Sequence, residues 1–133
     1  MRLHSRDQTC ALSPGGPLTF TWSGIIDPSD VTALFRDVRR HLDGWDGRLL
    51  WDMTSTQLIP GDTRRLFLDE LVKLPLAATA IVTSEFFVRV PVTMLFEVVA
   101  TEAARSPSYR FFDSVADASA WLASLEQQAE SAQ

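Results

Sequence analysis

Cysteine is nearly missing from this 133-residue sequence: Cys10 stands alone. No internal disulfide can form, so packing must hold the fold, and a reducing compartment is the natural setting. A long apolar run is also missing. The longest, Phe86 to Ala100, is broken by Arg89, Pro91, Thr93 and Glu97, and falls short of the ~20 residues that a membrane span needs. The opening MRLHSRDQTC has no apolar centre of the kind a secretory signal requires, and the expected location is the cytoplasm. Cationic excess is lacking too: 12 Lys and Arg stand against 17 Asp and Glu, for a net charge of −5. That argues against a nucleic-acid or anionic-membrane binder, which needs excess cations to displace counterions.

Chemistry-bearing motifs are equally scarce. His4 and His41 lie far apart with no cysteine near either, so no metal site is expected. There is no glycine-rich phosphate loop, no GxSxG elbow and no CxxC. No cofactor and no catalytic residue is assigned. Asp52, with Thr54 beside it, is the only place where an unrecognised activity is worth considering, because ligands of open α/β sheets bind at the carboxyl ends of strands.

What is present is an ordinary globular composition, 46% hydrophobic and 22% charged, enough for one core that buries roughly two-thirds of the unfolded surface. A single domain is expected over residues 1–126, followed by a polar tail at 127–133. Residues 8–13 and 18–23 read as a hairpin across Pro14-Gly15-Gly16-Pro17, with Leu18, Phe20 and Trp22 alternating against Thr19, Thr21 and Ser23. Asp27-Pro28-Ser29-Asp30 opens a helix that buries Val31, Leu34, Phe35, Val38 and Leu42. Residues 49–53 form a strand, and a loop at 54–60 leads to a helix starting near Gly61 and stopping before Pro75. A strand at 78–82, a helix at about 85–101 with Ser84 as its cap, a strand at 109–113 and a helix from Ser114 complete the chain. Strands alternating with helices predict an α/β fold with a mostly parallel, mixed sheet of about five strands and four helices.

This order, together with Gly47-Arg48-Leu49-Leu50-Trp51-Asp52-Met53-Thr54, Ala80-Ile81-Val82 and Arg110-Phe111-Phe112-Asp113-Ser114 before Ala120-Trp121-Leu122, resembles the STAS domain superfamily. The likeness is to its SpoIIAA-like branch, which is related to CRAL-TRIO lipid-binding domains, and it spans about residues 18–125. The resemblance implies a small regulatory module that acts by protein contact. In antagonist-type STAS domains a strand leads into "D-x-S-x-x-x-hydrophobic-hydrophobic-D-S-S-G", whose second adjacent serine is phosphorylated. Here Asp52 and Thr54 match the first acid and hydroxyl, and Leu58-Ile59 the apolar pair. Pro60 then replaces the second acid, Gly61 the first serine and Asp62 the phospho-acceptor, with Thr63 in place of glycine. The usual phospho-acceptor serine is therefore missing. Asp62 reads as a helix cap or as a fixed negative charge, and Thr54 and Thr63 are the hydroxyls left for a modified switch.

The segment SEFFVRVPVTMLFEVVAT, 84–101, is the most informative for function. Wound as a helix, it places Glu85, Arg89, Thr93, Glu97 and Thr101 in one narrow polar stripe and leaves roughly two-thirds of its circumference apolar, about twice what a helix on a sheet needs. Its valines also alternate as a strand would, but its length favours the helix. Phe86, Phe87, Val90, Met94 and Phe96 are the candidates to meet something beyond the sheet, and Trp45, in a polar turn, is a further contact candidate. The possible covers are a second subunit, an apolar ligand, a neighbouring helix or, less readily, a membrane. The expectation is a non-enzymatic STAS-like interaction module that self-associates as a homodimer through this helix. The alternative is a binder of a small apolar, lipid-like ligand.

Overall fold

A computed structural model describes residues 1–103 and 108–131, with side chains to Leu125. The elements are β1 (Arg2–Ser5), β2 (Gln8–Leu12), β3 (Leu18–Ile25), α1 (Pro28–Val38), a 3-10 turn (Arg39–His41), β4 (Arg48–Leu58), α2 (Gly61–Val72), β5 (Ala78–Val82), α3 (Phe86–Glu102), β6 (Ser108–Phe112) and α4 (Val115–Ser131). The strands form one mixed sheet in chain order, β1-β2-β3-β4-β5-β6. The first three are antiparallel and β3 to β6 are parallel. With strand order advancing in one direction, right-handed crossovers put α1, α2 and α3 on the same face. The larger core fills that face, and α4 covers the other over Leu50, Ala78, Ala80 and Val82 through Ala118 and Leu122. β5, at the centre of the parallel part, is buried throughout, as a strand covered on both faces must be.

The sheet has six strands where about five were expected. β1 was missed because its tight turn, Arg6-Asp7, carries none of the usual glycine or asparagine, yet Arg6 adopts a positive φ of 53°. Its guanidinium supplies the missing stabilisation: it reaches Asp27 at 2.8 Å and Asp30 at 3.4 Å, at the start of α1. Asp27 caps α1 as the sequence indicates, accepting from the Ser29 N–H. A second correction concerns residues 54–58, read as a loop. They continue β4, pairing with Ser23, Gly24 and Ile25 across two register shifts. Such bulges bend a strand and increase its twist. Helix α4 runs to Ser131, past position 126 where the sequence reading ends the domain.

The end of the sheet at which β4 begins is locked by two neighbouring residues. Gly47 has φ +89°, and a Cβ there would stand 2.5 Å from the Pro75 carbonyl oxygen and 2.8 Å from the Ala77 nitrogen. Arg48 is buried. It donates to Asp46 at 2.7 Å, to the Gly15 carbonyl at 2.6 Å and to the Leu122 carbonyl at 3.4 Å. One side chain thus joins the β2–β3 turn, the start of β4 and helix α4.

Gly47→Ala should lower stability by at least about 2 kcal/mol, read from urea denaturation, because the left-handed backbone and the backbone contact penalise it together. The Asp27 carboxyl is held below the usual aspartate range, first by the Ser29 N–H and then by Arg6. Its contribution is complete above the ordinary value of about 4 and is lost as pH falls through the lower folded value. Asp27→Asn should therefore flatten the acid limb of melting temperature against pH; an unchanged limb would remove this account.

Candidate functional site

The segment from Asp52 to Thr63 does not converge on a single switch. Asp52 Oδ1 accepts from the Thr54 N–H at 3.1 Å and from its hydroxyl at 2.6 Å, within β4. Thr54 is exposed and Asp52 half-buried. Asp62 lies in the first turn of α2, but the N-cap is Pro60 and no side chain caps the helix. Asp62 therefore complements the positive helix end without serving as the cap. Thr63 is fully buried and donates its hydroxyl to the Ile26 carbonyl at 2.7 Å. It fastens α2 to the end of β3, and phosphate at that oxygen is incompatible with the packed helix. Thr63→Val keeps the shape and removes the bond, leaving the Ile26 oxygen without that donor. The expected loss is about 1–3 kcal/mol, measured by urea denaturation.

Helix α3 divides its apolar side chains between two surfaces. Val88, Val92, Leu95, Phe96 and Val99 face inward. The sequence places Phe96 on the contact surface, but it is only 1% exposed and packs against Trp51 at 5.5 Å and Tyr109 at 5.6 Å between ring centroids. Phe86, Phe87 and Met94 are 78%, 55% and 62% exposed, with Val90 and Val98 beside them. The helix begins after Glu85, with no side-chain cap from Ser84; the Thr83 hydroxyl instead accepts the Glu85 N–H at 3.1 Å. The polar stripe is tied down at its margin, where Glu97 accepts from the Tyr109 hydroxyl and Arg89 approaches Asp113 at 3.6 Å.

The exposed apolar surface continues beyond α3. Leu58, at the end of β4, shares a cleft of about 280 Å³ with Phe87, Val90, Pro91 and Met94. Ile25, its partner across the sheet, is exposed with it. A second cleft of about 280 Å³ takes in Met94, Val98, Leu68, Arg64 and Arg65. Ile25, Leu58 and the two arginines were not assigned to this surface from sequence. Ile25 and Leu58 come together through the long-range pairing of β3 with β4, and the arginines reach the cleft because α2 packs beside α3, neither of which a local pattern announces.

The remaining candidates lie elsewhere. Trp45 is half-buried, donates its indole N–H to the Arg48 carbonyl at 2.9 Å, and lines a cleft of about 270 Å³ near the β2–β3 turn. That is the end of the sheet opposite to the start of α3. Burial pushes the Cys10 thiol up to about 12, which keeps it protonated and unreactive. Among the described residues no group of three or more His, Cys, Asp or Glu is placed to hold a metal, and no helix is long and apolar enough to cross a membrane.

No protein-family model matches the chain, and a search of curated proteins finds no match. Solved structures similar to the chain include the following two. One is an uncharacterised DUF3478-family protein with a SpoIIAA-like fold from Shewanella loihica PV-4, at TM-score 0.61 and 17% identity, covering 92% of this chain and 90% of that one. The other is an anti-sigma factor antagonist from Mycobacterium paratuberculosis, at TM-score 0.56 and 16% identity, covering 87% of this chain and 95% of that one. The chain has the SpoIIAA-like, STAS-type fold.

Proposed function

We propose that the protein is a non-enzymatic regulatory module of STAS type that works by protein contact, self-associating through the outer face of α3. The observation that carries this reading is the row Phe86, Phe87, Val90, Met94 and Val98, exposed on one side of a helix whose other side already fills the core. Each large side chain left in water forgoes on the order of 1.5–3 kcal/mol, and contiguous apolar patches on soluble domains mark contact surfaces. The fold similarity to an anti-sigma factor antagonist supports a regulatory role by protein contact. Asp62, exposed where the phospho-acceptor serine is expected, supports a module that does not use that switch.

A second reading, a binder of a small apolar ligand, is favoured by the clefts beside Phe87 and Met94. Both are open troughs, whereas a bound ligand of this kind usually has most of its surface enclosed.

Light scattering after size exclusion should give a dimer mass. Phe87→Asp and Met94→Asp should each weaken the dimer at least tenfold, about 1.4 kcal/mol, with circular dichroism unchanged. A monomer at every concentration would end the self-association reading. Native mass spectrometry showing a few hundred extra daltons, lost on denaturation, would favour the ligand reading.

A further inference from the structure

The two clefts beside α3 are one trough, since Arg64, Pro91 and Met94 border both. It runs between α2 and α3 from Phe87 to Val98, roughly 17 Å at 1.5 Å per residue, or about three helical turns. Its floor and outer wall are apolar, and its α2 side carries Arg64 and Arg65. Both arginines are exposed and, among the described residues, neither guanidinium group makes a hydrogen bond or an ion pair. Elsewhere Arg6, Arg39 and Arg89 each face a carboxylate. No Asp or Glu lines either cleft; Glu97, on α3, is turned to Tyr109.

A second copy can cover the apolar outer face of α3 but leaves the trough's charge unanswered. A two-fold contact uses the same patch on both subunits, so it brings apolar side chains and two more arginines but no carboxylate from the trough. An amphipathic helix with acidic residues along one flank satisfies both chemistries. Its apolar residues, at spacings of three and four, fill the floor, and its carboxylates receive the guanidinium groups in charge-assisted bonds. Arginine suits this role because its planar fork matches a carboxylate.

We infer that the α2–α3 trough docks a three-turn acidic amphipathic helix of another protein, which competes with self-association for the outer face of α3. This rests on the reading of α3 as the working surface, but its charge requirement is separate.

The test uses the full chain and two fluorescein-labelled 14-residue helical peptides. In both, leucines recur at spacings of three and four; glutamates flank them in one and lysines in the other. By fluorescence anisotropy the glutamate peptide should bind at least tenfold more tightly than the lysine peptide. The double variant Arg64→Glu, Arg65→Glu should reverse that preference, and Met94→Asp should weaken both peptides at least tenfold. Light scattering should show the glutamate peptide converting dimers to peptide-bound monomers. Equal affinity for the two peptides, or no binding of either, would overturn the inference. So would sedimentation with phosphatidylglycerol vesicles in the absence of peptide binding, which would point to a membrane surface. If the chain alone is monomeric, self-association fails while the anisotropy preference still decides the trough.

Discussion

The arrangement of helices depends on a cluster of rings on the two strands β3 and β4. Phe20, Trp22 and Trp51 stand on one face of the sheet, and each of the three helices on that face sets one phenylalanine against them. Phe35 of α1 lies 5.0 Å from Phe20, Phe67 of α2 lies 4.8 Å from Trp51, and Phe96 of α3 lies 5.5 Å from Trp51. Pairs of this kind contribute about 0.5–1.5 kcal/mol beyond the area they bury. Their geometry also settles the rotation of each helix. Once Phe96 enters the cluster, Met94 and Val98 must point away from it, so the exposed face of α3 follows from the core. The indole N–H groups of Trp22 and Trp51 are buried without partners among the described residues. Leaving such a donor unpaired costs on the order of 1–3 kcal/mol, which the packing of the rings has to offset.

The parts of this fold legible in the sequence are those with a local physical cause. Alternation at Leu18, Phe20 and Trp22 marks β3, the Asp27-Pro28 pair marks the start of α1, and the Ser114 hydroxyl accepts the Asp117 N–H where the sequence places a cap. The failures have non-local causes. The turn at Arg6 is stabilised by residues twenty and more positions away, and the polar stretch at 54–58 becomes strand only because the end of β3 lies beside it. For α3 the surplus of apolar residues was readable, since it is a matter of counting around a helix. Which of them turn inward was not, because Phe96 and Met94 are equivalent until Trp51 and Tyr109 are in place.

The two ends of the sheet solve different problems. Where β4 begins, the structure is closed: Gly47 leaves room for the Pro75–Ala77 segment, and Arg48 occupies three backbone and side-chain acceptors at once. Where β4 ends, little holds the surface shut. Thr63 and Thr56 anchor backbone carbonyls of Ile26 and Trp22, while Ile25, Leu58 and the first turns of α3 remain open to solvent. A rigid end of the sheet thus stands opposite an end that leaves an apolar surface uncovered.

The order of the strands has a consequence for how the chain is made. Each strand in the sheet neighbours the one synthesised just before it, so no strand has to insert between two that are already paired. The sheet can lengthen at its free edge as the polypeptide emerges, one unit at a time, from contacts that are close in sequence. Helix α4 is the exception, following all six strands to cover Leu50, Ala78, Ala80 and Val82. Until it is released, that back face is bare, so α4 decides whether the nascent sheet stays single.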